Sequence, residues 1–126
     1  MKISVKLMRI DKMTGEEDIL AETKGLLNGN RLLYPESETA VQAVTFDGEE
    51  IILERKAETV SRTVLRKRGR GNSFIDSEYG RFELGTELIR YVKNDTVWLV
   101  EYRVFSGSET VLDQILIWEI DKNQSS

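Results

Sequence analysis

With 126 residues, no cysteine, no histidine and a net charge of −4, the chain excludes more chemistry than it announces. Disulfides, thiolate nucleophiles, His-based triads and the usual zinc, copper and iron ligand sets are closed to it, so no metal site or cofactor is expected. The length supports one domain, which at this size buries enough surface to need no covalent staple, and the acidic balance makes nucleic acid an unfavoured partner.

The opening MKISVKLMRIDK alternates polar and apolar residues without an unbroken apolar core, so no signal peptide is expected. No run approaches the ~18 apolar residues of a membrane span, and a cytoplasmic setting away from membranes is the expectation. In KISVKLMRI a period of two places Ile3, Val5 and Leu7 on one face. The same period recurs in DILAETKG, RLLY, AVQAVTF, IILERK, VSRTVLRK, GRFELGT, LIRYVK, TVWLVEYRVF and TVLDQILIWEI. Turn signals fall between them, among them Asn28-Gly29-Asn30, Asp47-Gly48 and Ser106-Gly107-Ser108. Glycine after Asn or Asp supplies the positive φ that tight hairpins require.

Two stretches compete as helices. SETAVQAV could make two turns, but Val41, Val44 and Thr45 are β-branched and Asp47-Gly48 follows at once. VLDQILIWEI is long enough for a helix, yet its Ile and Trp content favours a strand. Pro35 is expected to end RLLY. The fold expected is all-β, a closed antiparallel β-barrel of about 8–10 strands, as a single domain over 1–121 with a flexible tail at 122–126.

Parity predicts an interior. Trp98, Val100, Tyr102 and Val104 share one side of a strand, and Phe82 and Leu84 share one side of another. Val97, Leu99 and Phe105, opposite the Trp98 side, are also apolar, so that strand calls for cover on both faces. A second copy of the chain, as a homodimer, is one candidate for that cover.

Residues 55–81 hold eight Arg/Lys and three Asp/Glu, a local +5 that leaves −9 on the rest. In VSRTVLRKR, Val60, Arg62, Val64 and Arg66 alternate with Ser61, Thr63, Leu65 and Lys67. If the valines face inward the arginines do too and the interior is cationic; if Ser61, Thr63 and Leu65 face inward the arginines are solvated. Parity favours the solvated strand running into a charged hairpin. The hairpin cations Arg66, Lys67, Arg68 and Arg70 form an alternative contact surface for nucleic acid, an anion or a protein. The Arg/Gly motif occurs once, without the repeated aromatics of RNA-binding segments.

Arg55 follows Ile51 and Leu53 on one parity. An arginine entering a core needs a carboxylate, and Asp76, Glu83 and Glu101 are the candidate partners, unless the strand ends there and the side chain snorkels to water. Tyr34, Tyr79, Tyr91 and Tyr102 read as core aromatics first and ligand-bonding hydroxyls second, and Tyr79-Gly80 reads as a turn or bulge. No P-loop, dinucleotide fingerprint, calcium loop or paired-carboxylate spacing is present, so the chain is not expected to be an enzyme.

Three stretches carry a family resemblance. ETKGLLNGNRLLYPES resembles a strand, glycine, short turn and Tyr-Glu-rich segment, with Pro35 between Tyr34 and Glu36. LERKAETVSRTVLRKRGRGNSFIDSEYGRFEL resembles an Arg-containing strand, a second strand with its turn, then Y-x-T-x-y-G-x-l-e, with Phe74 at the tyrosine, Asp76 at the threonine and Tyr79-Gly80 matching. DTVWLVEYRV resembles g-x-i-x-i-x-Y-x-l through Tyr102. Together they resemble the YwiB-like bacterial family of small calycin-like, that is lipocalin-like, β-barrel proteins. The resemblance implies a closed barrel with an internal cavity and implies no activity. The expected role is a non-enzymatic binding protein holding a small amphiphilic or anionic ligand. Its expected wall residues are Arg55, Arg62, Tyr79, Trp98 and Tyr102.

Overall fold

A computed structural model describes residues 1–122. Apart from Lys122, the tail expected at 122–126 lies outside the described residues. The chain forms β1 (Lys2–Asp11), β2 (Glu17–Asn28), β3 (Arg31–Ser37), β4 (Ala40–Asp47), β5 (Glu50–Lys56), β6 (Val60–Arg66), β7 (Gly71–Ser77), β8 (Gly80–Lys93), β9 (Val97–Ser106) and β10 (Glu109–Asp121). Each strand pairs antiparallel with the next, and β1 closes the barrel on β10 from Ser4–Asp121 to Asp11–Gln114. Closure removes the exposed sheet edges that an open meander would leave. Both stretches that competed as helices, in β4 and β10, are strands.

Strand alternation builds the interior. Successive Cβ atoms point to opposite faces, so Ile3, Val5 and Leu7 of β1 enter the core while Lys6 and Met8 face outward. Trp98, Val100, Tyr102 and Val104 of β9 also enter it, as their parity predicted. Each fully buried Leu, Ile or Phe side chain contributes roughly 1.5–3 kcal/mol relative to exposure. The hairpin glycines expected from Asn-Gly and Asp-Gly adopt positive φ, 61° at Gly29 and 46° at Gly48.

Two strand boundaries differ from expectation. β3 does not end at Pro35 but continues to Ser37, because the proline faces a place where β2 offers no ladder and its missing N–H costs nothing there. The stretches GRFELGT and LIRYVK are one strand, β8, bent by a register shift between Leu88 and Arg90. That bulge flips the parity of the residues beyond it, so that Arg90 faces outward and Tyr91 inward.

The two barrel ends differ. At the end carrying the 28–31, 47–50, 66–71 and 93–97 connections, Ile3, Leu32, Ile51 and Leu65 are fully buried. Phe46 packs edge-to-face on Trp98 at 5.1 Å and on Tyr91 at 6.1 Å. Lys67 lies over the Tyr91 ring and Lys93 over the Trp98 ring, at 4.8 and 5.2 Å. This aromatic plug seals one end. At the other end, between the 11–17 and 106–109 connections, the inward side chains of β5 to β8 stay partly exposed.

Candidate functional site

A belt of polar side chains crosses the middle of the barrel, between the plug and the open end. The Trp118 indole N–H donates to the Tyr34 hydroxyl at 3.0 Å, and that hydroxyl donates to Gln42 Oε1 at 2.9 Å. Gln114 Nε2 donates to the Tyr102 hydroxyl at 2.7 Å, and the Thr63 and Ser73 hydroxyls meet at 2.8 Å. Burial pushes the Tyr34 and Tyr102 phenols up to about 12, so both are neutral hydrogen-bonding groups.

Above the belt the mouth has two unlike walls. Arg9 follows Ile3, Val5 and Leu7 in parity, and its Nη2 donates to Asp18 Oδ2 of β2 at 2.6 Å. Its Nε is buried with no partner among the described residues. Arg55 follows Ile51 and Leu53, and its Nε donates to Glu36 Oε2 of β3 at 2.6 Å. The Arg55 bond holds the Glu36 carboxyl below the usual carboxylate range, helped by Gln42. Each arginine thus donates one N–H to its carboxylate. Around the rest of the rim, starting from Ser61 beside Arg55, β6 to β10 contribute Ser61, Ile75, Phe82, Leu84, Val104 and Leu112, with Phe82 55% exposed. The mouth is therefore cationic and acidic on one side and largely apolar on the other.

Of the expected wall residues, only Arg55 reaches the mouth, and its partner is Glu36 rather than Asp76, Glu83 or Glu101. Arg62 points outward and is exposed, because Leu53–Thr63 and Arg55–Ser61 are the inward pairs of β5 and β6. Arg66 points outward by the same parity. Tyr79, 85% exposed, sits in the 77–80 turn outside the rim, where Gly80 takes a φ of 119°. Trp98 is 2% exposed within the plug, and Tyr102 is 5% exposed with its hydroxyl engaged in the belt. Neither presents a free face. In the basic hairpin, Lys67 and Arg70 lie over the rings of Tyr91 and Phe105, and Arg66 stands opposite Glu50, leaving Arg68 as its least engaged cation.

Arg9 and Glu36 were missed. Arg9 was legible, since it continues the parity of Ile3, Val5 and Leu7. Glu36 was masked by the expectation that Pro35 ends the strand.

The outer wall carries its own ionic cluster. Glu101 faces outward yet is 6% exposed, because Lys12 Nζ donates to Oε2 at 2.6 Å and Arg90 Nε to Oε1 at 2.7 Å. The Lys12 bond first, then the Arg90 bond, hold its carboxyl below the usual range.

An up-and-down antiparallel barrel, closed by β1 on β10 and plugged by aromatic side chains at one end, defines the class of protein. Residues 3–116 match the family described as Domain of unknown function (DUF1934), and the chain belongs to that family. Among solved structures it is similar to the ywiB protein from Bacillus subtilis, with a TM-score of 0.63 and 14% identity over 98% of this chain and 91% of that one. A likeness at that identity speaks to the fold alone. No curated protein matches the chain. Among the described residues no helix is long and apolar enough to cross a membrane.

Proposed function

We propose that the protein is a non-enzymatic binding protein whose open mouth takes a small anionic amphiphile. The observation that carries the reading is the pair of inward arginines, Arg9 and Arg55, each with guanidinium N–H groups left over after its carboxylate contact. An anionic head accepts charge-assisted hydrogen bonds from them, while an apolar tail lies on Ile75, Phe82 and Leu84. The YwiB-like family that the sequence resembles is described as lipocalin-like, and lipocalin barrels, which are eight-stranded, can hold one small ligand. Here the plugged end fills the lower interior, so the ligand sits above the polar belt rather than deep in a cavity.

The test is calorimetric titration with dodecyl phosphate and with dodecyltrimethylammonium. The phosphate binds and the ammonium does not, and Arg9→Gln and Arg55→Gln each weaken phosphate binding by roughly tenfold. Equal binding of both amphiphiles, or indifference to both substitutions, overturns the reading.

A second reading is self-association through the outer face of the barrel. Met8, Ile117, Leu99 and Val92 form one outward apolar row across β1, β10, β9 and β8. Sedimentation at dilute concentration distinguishes a dimer from a monomer, and a Leu99→Lys variant shifts a dimer of this kind to monomer.

A further inference from the structure

The barrel closes, yet one of its strands keeps an unpaired edge. β7 covers one side of β8 only from Gly80, opposite Ser77, to Thr86, opposite Gly71, whereas β9 covers the other side as far as Lys93. Where β7 begins, β8 touches β6 through the Thr86 hydroxyl, which donates to the Val64 carbonyl at 2.7 Å. From 87 to 93 no ladder continues on that side among the described residues. A barrel strand ordinarily buries every second residue. Here all five residues from Ile89 to Lys93 are exposed, and Ile89, Tyr91 and Val92 are apolar.

The surroundings of this edge are cationic. Lys93 ends it, and the 66–71 hairpin brings Lys67 over the Tyr91 ring at 4.8 Å. The hairpin also sets Arg70 over the ring of Phe105, which stands opposite Gly85. Arg68 sits between those two cations in the chain. None of Lys67, Arg68, Arg70 and Lys93 has an ion-pair partner among the described residues. Nearby carboxylates have cations of their own: Glu87 lies 3.8 Å from Arg103, Asp95 lies 3.7 Å from Lys122, and Glu50 stands opposite Arg66. Glu49, whose carbonyl accepts from the Lys67 amide at 2.9 Å, is the remaining acidic neighbour. The two faces of the edge also differ. Past the bulge, Val92 faces outward and ends the apolar row of Met8, Ile117 and Leu99, while Tyr91 and Lys93 face the plug.

We propose that this edge of β8 takes an extended segment of a partner protein in which acidic and apolar residues alternate. Added as a strand beside 87–93, the segment pairs its backbone with groups that the barrel leaves without a ladder. Its acidic side chains lie on the plug face against Lys67 and Lys93, and its apolar side chains prolong the outward row past Val92. A second copy of this chain, paired edge to edge, would bring two cationic hairpins together with like charges opposed. A single-stranded nucleic acid would leave the backbone edge unused. It would also seek ring faces for base stacking, and the rings of Tyr91, Trp98 and Phe105 each already carry a cation.

The probe is a fluorescein-labelled peptide, Asp-Val-Glu-Val-Glu-Val-Asp, read by anisotropy, with amide exchange by NMR as the structural readout. It binds and slows exchange at amides within 89–93. Three controls accompany it: a peptide of the same composition without the alternation, Asp-Glu-Glu-Val-Val-Val-Asp, an N-methylated version that cannot extend a ladder, and a labelled single-stranded oligonucleotide. Each binds roughly tenfold more weakly. Lys93→Glu and Arg68→Glu each weaken the alternating peptide by roughly fivefold. Arg68 lies over no ring among the described residues, so its replacement leaves the plug intact. Arg9→Gln and Arg55→Gln leave peptide binding unchanged, which separates this edge from the mouth. Equal binding of the non-alternating or N-methylated peptide, tighter binding of the oligonucleotide, exchange slowed elsewhere than at 89–93, or indifference to both charge reversals overturns the proposal.

Discussion

Trp118 and Tyr34 join β10 to β3 through one buried hydrogen bond, indole N–H to phenol oxygen at 3.0 Å, between residues 84 positions apart. The Tyr34 hydroxyl also donates to Gln42, so one oxygen connects three strands. Replacing it leaves the indole N–H buried without an acceptor and the Gln42 carbonyl without its donor. Tyr34→Phe is expected to cost about 1–3 kcal/mol. Urea unfolding checks this: the midpoint falls while the slope stays constant.

The same phenol, with Tyr102, governs the alkaline limit. Both folded-state values are raised from 10.0 to about 12, chiefly by burial. A folded value above the unfolded one means that the stabilisation is complete below the unfolded value. It is lost as pH climbs from there through about 12. Urea midpoints measured across that window are expected to fall, and to fall less steeply in Tyr34→Phe, which removes one of the two groups.

Glu101 acts at the acid end of the scale. Its carboxyl is held low by Lys12 and Arg90, so its contribution is complete above the unfolded value of about 4.3 and fades as pH drops through the folded value. Glu101→Gln is expected to cost about 1–2 kcal/mol at neutral pH. That is less than the ~3–5 kcal/mol of a fully buried pair, because both cations reach water. The variant also loses part of the acid sensitivity of the parent, which urea melts on either side of pH ~4 detect.

Gly71 makes a close approach that no other residue type can make. A Cβ there would lie 2.0 Å from the Val64 carbonyl oxygen and 2.8 Å from Thr86 Oγ1, and that hydroxyl donates to the same carbonyl at 2.7 Å. Both obstacles are held in place by the ladder, so neither can yield cheaply. Gly71→Ala is expected to cost about 3 kcal/mol or more. Gly85→Ala, where an added Cβ meets nothing within 4 Å, is expected to be far milder. Paired thermal melts of the two variants compare them directly.

Much of the barrel is legible in the order of the residues. The inward faces of β1 and β9 follow from alternation alone, and the Asn-Gly and Asp-Gly turns fall where their backbone requirements place them. The candidate site was far less legible. Alternation names which residues share a face, but in VSRTVLRKR both faces mix apolar and polar residues. Only the pairing of Ile51 with Leu65 shows which face is inside. Aromatic and cationic side chains likewise look like ligand contacts in a sequence, whereas Trp98 and Lys93 here complete a sealed end.

By itself the sequence determined an all-β chain of short strands without thiol or imidazole chemistry, because side-chain alternation and positive-φ turns are local consequences of backbone sterics. The tertiary structure decided what depends on register between distant strands. It set the closure of β1 on β10, the end that the aromatics plug and the pairing of Arg55 with Glu36. Each of these joins residues far apart in the chain, where no local propensity acts.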